Sequence, residues 1–289
     1  MGMPEILMLG GEGPDASGQG RSGDGGPVVV FDSGLGGLSV VRAIRALLPD
    51  LTLAYIADDV AFPYGDMKPE ALRAHIVEVM ETVVAGLSPS AVVIACNTAS
   101  TLVLEPLRGA HALPFVGTVP AIKPAAEQTR TGVISVLATP ATIERDYTRD
   151  LIERFASACH VRLVGAPGLA RLAEDHMQGM EIDRDLIREQ VRPCFQEVDG
   201  ARTDIVVLAC THYPFLVEIM AADAPWPVTW LDPAPAIARR LADVLPDRVA
   251  KHEGRDPVFF TSGRAVKGAA GRLFADYGFA ADGNLGRLP

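Results

Sequence analysis

Residues 91–98 read AVVIACNT and residues 205–212 read IVVLACTH, two stretches built alike. Each is an apolar run of strand type, then Ala-Cys, then polar residues that can open a helix. A run with no polar alternation suits a strand buried on both faces, as in a parallel sheet. Cys96 and Cys210 then fall at the carboxyl ends of their strands, where open α/β sheets place ligand sites. Two equivalent strand ends carrying two thiols can face each other across a cleft.

The chain around them supports this architecture. Strand-like runs near 28–31, 51–56, 91–95 and 115–118 alternate with helical patterns, of which 69–87 is the longest. Such alternation implies βαβ units around a parallel sheet. The pattern restarts with a strand at 132–137, a helix over about 143–158, a strand at 161–164, a helical segment 167–176, a helix over 185–197 and the second Ala-Cys strand. This reads as a diverged duplication: two Rossmann-like α/β lobes with parallel-type sheets, related by a pseudo-two-fold, with the active site in the cleft between them. A strand at 228–231, helix 236–245, strand 257–261 and helix 269–277 are expected to return to the first lobe. The expected division is a flexible Gly-rich tail at 1–27, lobe 1 at 28–122 plus about 229–289, and lobe 2 at 123–228.

Composition narrows the function. Of 289 residues 48% are hydrophobic and 21% charged, with mean hydropathy +0.21, as expected of a globular α/β protein. A net charge of −10 argues against a nucleic-acid scaffold or a membrane-surface binder. No apolar run approaches the roughly 18 residues of a membrane span, and the segment 6–9 is too short for a secretion signal. The expected compartment is the cytoplasm, where Cys96, Cys159, Cys194 and Cys210 are free thiols.

For a single strand-end cysteine, a small buried hydrophobe is the simplest account. Two in matched settings, each before a helix start, point to chemistry. A helix N-terminus is expected to lower a thiol pKa from about 8.5. Cys159 and Cys194 lie in helical segments without that setting and read as structural. A zinc site from Cys96, Cys210 and His212 lacks the usual ligand spacing. Residues 32–37, Asp32-Ser33-Gly-Leu-Gly-Gly, lie between a strand and a helix, where a turn can bind an anion. They match neither the dinucleotide fingerprint nor the P-loop. That turn reads either as a tight capped turn or as a carboxylate pocket with Asp32 near the reactive carbon. Asn97, Thr98 and Thr211 offer donors for substrate carboxylates, and His212 is a proton partner for Cys210. Lys123, between Ile122 and Pro124, is a poor Schiff-base lysine. Two acid/base thiols on opposite faces of a cleft suit inversion at carbon, one removing a proton and the other delivering one.

The motifs FDSGLGGLSV (31–40), FPYG (62–65), ACNTAS (95–100), VPAIKPA (119–125) with LATP (137–140), and ACTHYP (209–214) together resemble the glutamate racemases, cofactor-independent members of the aspartate/glutamate racemase superfamily. The resemblance runs in order from about 28 to 245, and FFTSG (259–263) also fits. It implies interconversion of L- and D-glutamate, supplying D-glutamate for peptidoglycan, with no cofactor and no metal. By position, Cys96 takes the α-proton of D-glutamate with Asp32 assisting. Cys210 takes that of L-glutamate, with Glu174 and His212 assisting. Asp32, Ser33, Tyr64, Gly65, Asn97, Thr98, Thr211 and His212 bind substrate. Asp175 stands beside Glu174 as the alternative carboxylate. The partners considered are glutamate and, in a homodimer, a second copy of the chain; neither membrane nor nucleic acid is expected. Aspartate racemase is the nearest enzymatic rival, disfavoured by Thr-His after the second cysteine, and a non-catalytic binding protein is the rival of another class.

Overall fold

The computed structural model describes residues 25–246 and 254–280. Most of the Gly-rich tail, residues 1–24, lies outside them. The first half runs β1 (Val28–Asp32), α1 (Leu38–Leu47), β2 (Leu53–Ala57), α2 (Pro69–Leu87), β3 (Ala91–Ile94), α3 (Asn97–Ala110) and β4 (Phe115–Gly117), then α4 (Ile122–Gln128). The second runs β5 (Val133–Ala138), α5 (Pro140–Ile143), α6 (Asp146–Phe155), β6 (His160–Gly165), α7 (Leu169–Met177), α8 (Arg184–Val191), β7 (Glu197–Val198), β8 (Ala201–Arg202) and β9 (Ile205–Ala209). It closes with α9 (Val217–Ala222) and β10 (Thr229–Leu231), before α10 (Ala234–Val244), β11 (Val258–Phe260) and α11 (Gly268–Asp276).

Two parallel sheets result. One has the order β11-β2-β1-β3-β4 and the other β10-β9-β5-β6. With the edge strand β11 set aside, the first sheet's order repeats in the second, β5, β6, β9 and β10 standing for β1, β2, β3 and β4. The Cys96 strand and the Cys210 strand therefore hold equivalent places, each beside the first strand of its sheet. All residues of β1, β3 and β9 are buried. Alternation explains why no polar residue interrupts them: Val28 and Val30 pack toward α1 and α10, while Val29 and Phe31 pack toward α2 and α3. Fully burying each such side chain is worth about 1.5–3 kcal/mol. Polar chemistry is thereby confined to the strand ends.

Three expectations are corrected. Strand β10, assigned to the first lobe, pairs in parallel with β9 (Thr229 beside Ile205) and so extends the second sheet. The short connection through α9 delivers the chain to the neighbouring position, and Trp230 joins the core there. Return to the first core begins only with α10, whose Ala234, Ile237 and Leu241 pack on it, and continues with β11 beside β2. Ile122, placed at the end of the first lobe, packs instead with Ile134 and Val136 of the second. The helix expected over 185–197 stops at Val191, and residues 197–202 form a hairpin, turned by Asp199 and Gly200 at φ 52° and 80°. Asp-Gly is a favoured sequence for such a turn, because both central residues need positive φ.

Candidate active site

Cys96 and Cys210 line one cleft, together with Ser33, Asn97, Thr98 and His212. They are buried to almost the same degree, 7% and 8% exposed. Their settings differ beyond the strand end. Cys96 is the N-cap residue of α3, a fourteen-residue α-helix. After Cys210 the chain enters a single 3-10 turn at Tyr213–Leu216 before α9. The α-helix start expected behind Cys210 is therefore displaced to Val217.

The turn between β1 and α1 does bind anions, and they are the protein's own. The Gly34 N–H donates to Oδ1 of Asp32 (3.0 Å), and the Leu35 N–H donates to Oε1 of Glu174 from α7 (2.6 Å). The same Glu174 oxygen lies 3.0 Å from Nε2 of His212. The Thr211 hydroxyl donates to Oδ2 of Asp32 (3.0 Å). Asp32, Thr211 and Glu174 thus sit behind the cleft wall and brace it. Two glycines make this docking feasible. A Cβ at Gly34 would collide with the Glu174 carboxylate, and one at Gly36 would meet His212 Nδ1 and Thr211 Oγ1. Tyr55, buried on β2, supports the turn from below by donating its hydroxyl to the Gly34 carbonyl (2.8 Å). Between the two carboxylates weighed on α7, Glu174 is the one against His212; Asp175 is only half-buried.

Nδ1 of His212 lies 3.8 Å from the Cys210 sulfur, so the imidazole bridges that thiol and Glu174. Burial works against a charged imidazole. The Cys210 and Glu174 partners outweigh it and hold the His212 pKa well above its ordinary value. Glu174 is held below its usual range: burial pushes it up, and His212 with the Leu35 N–H pulls it down further. On the other side, burial and the nearby Asp32 carboxylate push the Cys96 thiol far up. The Ala99 N–H and the Ser33 hydroxyl favour the thiolate but do not reverse the shift. The lowering expected from the helix N-terminus is therefore overturned for Cys96 by desolvation. Asp32 itself is raised, chiefly by burial.

Phe62, Pro63, Tyr64 and Gly65 form a further wall, with the Phe62 ring tilted against that of His212 at 5.6 Å between ring centres. Asn97 presents a buried Nδ2 with no hydrogen-bond partner among the described residues, while its Oδ1 accepts from Thr118 (3.4 Å). Thr98 joins the two halves, its hydroxyl 3.0 Å from that of Thr139 and 3.1 Å from that of Thr142. Phe62 and Thr139 line the cleft from the FPYG and LATP motifs, and Ala170 of α7, which no motif marks, lines it too. Thr139 had a signal: it follows β5 directly, as Ser33 follows β1. Lys123 lies away from the cleft, exposed and 3.7 Å from Glu127. Cys194 is packed in the second core, its thiol pushed up to about 12 by burial. Among the described residues no three His, Cys, Asp or Glu side chains are grouped as a metal site, and no helix is long and apolar enough to cross a membrane.

A family model described as Asp/Glu/Hydantoin racemase matches residues 38–241. Glutamate racemase from Brucella canis is 58% identical over 256 residues, spanning 87% of this chain and 92% of that protein. The Brucella anthropi glutamate racemase is 60% identical over 228 residues, 78% of this chain and 82% of its own. Among solved structures, Escherichia coli glutamate racemase in complex with L-glutamate and the activator UDP-MurNAc-ala matches with TM-score 0.77 at 38% identity, covering 88% of this chain and 96% of that one. A glutamate racemase isoform from Bacillus anthracis matches with TM-score 0.73 at 25% identity over the same shares. A parallel two-sheet fold, paired strand-end cysteines and these relatives agree: the chain belongs to the Asp/Glu/Hydantoin racemase family, within its glutamate racemase branch, and is an amino-acid racemase.

Proposed function

We propose that this protein interconverts L- and D-glutamate by a two-base mechanism in which Cys96 and Cys210 act from opposite faces of the substrate, without a cofactor. The observation that carries this reading is the pair of thiols at equivalent strand ends lining one cleft. In the L-to-D direction the Cys210 thiolate takes the α-proton, breaking the Cα–H bond and forming S–H. The electron pair left on carbon is delocalised into the adjacent carboxylate. The Cys96 thiol then gives its proton to the opposite face and becomes the thiolate. D-to-L turnover runs the same steps backwards.

The neighbours of each thiol support this division of roles. Burial and Asp32 keep a proton on Cys96, and an imidazolium at His212 can donate to the Cys210 sulfur. The Asn97 amide, without a partner among the described residues, suits a substrate carboxylate oxygen, and Ser33, Tyr64, Gly65 and Thr98 line the same space. Asp32, Glu174 and Thr211 act through these neighbours. The product D-glutamate serves peptidoglycan synthesis, and four free cysteines fit work in the cytoplasm.

The test uses purified, chelator-treated protein with L-glutamate and no pyridoxal phosphate. Circular dichroism of the substrate should decay to zero, and Cys96→Ala and Cys210→Ala should each abolish complete racemisation. Near-normal turnover in either variant would overturn the two-base reading. Faster turnover of L-aspartate than of L-glutamate would overturn the substrate.

A further inference from the structure

One fully buried carboxylate near the cleft has no part in the proton transfers. Asp58 follows β2 directly, and its backbone N–H donates to the Asp32 carbonyl (2.8 Å). Its side chain is 0% exposed and gathers donors from three separate elements. Oδ2 accepts from the Tyr64 hydroxyl (2.6 Å) and lies 2.7 Å from Nε2 of His75 on α2. Oδ1 accepts from the Thr261 hydroxyl just beyond β11 (2.7 Å). A buried carboxylate is costly unless paired and fully hydrogen-bonded. Here the chain meets that cost with three partners, one of which, Tyr64, is a wall of the cleft.

We propose that Asp58, with His75 as its counter-ion, is a positioning residue that fixes Tyr64 and the 62–65 wall against the substrate. Asp58 does not line the cleft, so it acts through Tyr64. Tyr64 is 2% exposed, and its hydroxyl feels Cys96 and Asp32 as well as Asp58. Neighbouring Asp59 pins the segment after β11 in the same way, taking bonds from Ser262 and Arg264. The two adjacent carboxylates thus tie the end of β2 to α2, to the late strand and to the substrate wall.

The His75 partner makes the device sensitive to pH. The groups facing His75 are Asp58 from the β2 end and Glu78 from its own helix; Tyr64 shares the Asp58 oxygen. The bond to Asp58 raises the His75 pKa, against the opposing effect of burial. Below that raised value the imidazole facing Asp58 carries a positive charge. Above it that positive charge behind the cleft wall is lost, which disfavours an anionic substrate. KM for glutamate therefore rises with pH through the His75 titration.

This inference rests on the racemase reading, and the experiment separates the two. Wild type, Asp58→Asn, His75→Asn, Tyr64→Phe and the Asp58→Asn/Tyr64→Phe double variant are assayed for kcat and KM from pH 6 to 10. His75 is followed by NMR. Asp58→Asn should raise KM about tenfold, the loss of one charge-assisted hydrogen bond, with a smaller change in kcat. The double variant should be no worse than the poorer single variant. Asp58→Asn should move the His75 titration down toward its ordinary value, and His75→Asn should remove the pH step in KM. If Asp58→Asn fails to fold, the His75→Asn/Tyr64→Phe pair replaces it, with the same non-additivity expected. An unchanged KM, additive single effects or a loss confined to kcat would overturn the positioning role while racemisation by wild type persisted. No racemisation by wild type would overturn the functional reading itself.

Discussion

Replacing Glu174 by Gln removes one charge from the centre of the Cys210 side while preserving shape. In the wild type a single oxygen, Oε1, receives the Leu35 N–H at 2.6 Å and faces His212 Nε2 at 3.0 Å. Its side chain is 11% exposed, so solvent screens the interaction little. Hydrogen bonds to a charged group are worth about 1.5–3 kcal/mol and neutral ones about 0.5–1.5. A Gln oxygen can still accept both, so the expected loss is about 1 kcal/mol or slightly more per bond, near 2–3 kcal/mol in all. The pH dependence follows from the two shifts. Glu174 is lowered from 4.5, so its contribution is present above that value and is lost as pH falls through the depressed one. His212 is raised above 6.5, so its contribution is complete below 6.5 and is lost as pH rises through the raised one. Urea titrations of wild type and Glu174→Gln should therefore differ most between these limits and converge at both extremes. In catalysis, losing the imidazolium partner should lower kcat/KM on the order of 10- to 100-fold. Because enantiomers have equal free energy, the loss must be equal in both directions. A Glu174→Gln protein within twofold of wild type in kcat/KM, with an unchanged stability difference across pH, would refute the role assigned to this ion pair.

Other perturbations test separate contacts. Gly34→Ala forces a methyl group into the Glu174 carboxylate and should lower activity as much as Glu174→Gln, with the thermal midpoint falling as well; a wild-type midpoint would show that the turn is not closely docked. Asn97→Ala removes a buried donor that has no partner among the described residues, and its main effect should be a KM for glutamate raised about tenfold or more, seen in steady-state kinetics. Thr142→Val leaves Thr98 and Thr139 with one hydroxyl fewer; denaturation should show a loss of about 1–3 kcal/mol.

What could be read from the sequence was whatever short-range pattern controls. Uninterrupted apolar runs marked β1, β3 and β9 because both their faces are covered, and the polar residues after them marked the site. Ser33, Asn97, Thr98 and His212 reach the cleft for that reason. The assistance of Glu174 is different in kind. It depends on α7 docking against a turn 139 positions away, and on two glycines leaving room, and no periodicity encodes that. The same holds for Asp58, whose partners Tyr64, His75 and Thr261 meet only when β11 joins the sheet beside β2. Thr229–Leu231 carries nothing to say which sheet β10 enters; pairing with β9 decides it. The direction of the Cys96 shift is hidden because the helix N-terminus is visible in sequence, whereas burial beside Asp32 is not.

The central claim, that two thiols work from opposite faces, is tested most directly by the position of solvent deuterium. L-glutamate is incubated with the protein in D2O, the reaction is stopped within the first few per cent of turnover, and the enantiomers are separated for mass analysis. Two bases predict D-glutamate carrying one α-deuterium while the remaining L-glutamate keeps its α-protium, and the mirror-image result from D-glutamate. Early deuterium in the unreacted L-glutamate pool at the same level as in the product, or α-protium carried over into D-glutamate, would mean that one base serves both faces and would contradict the account.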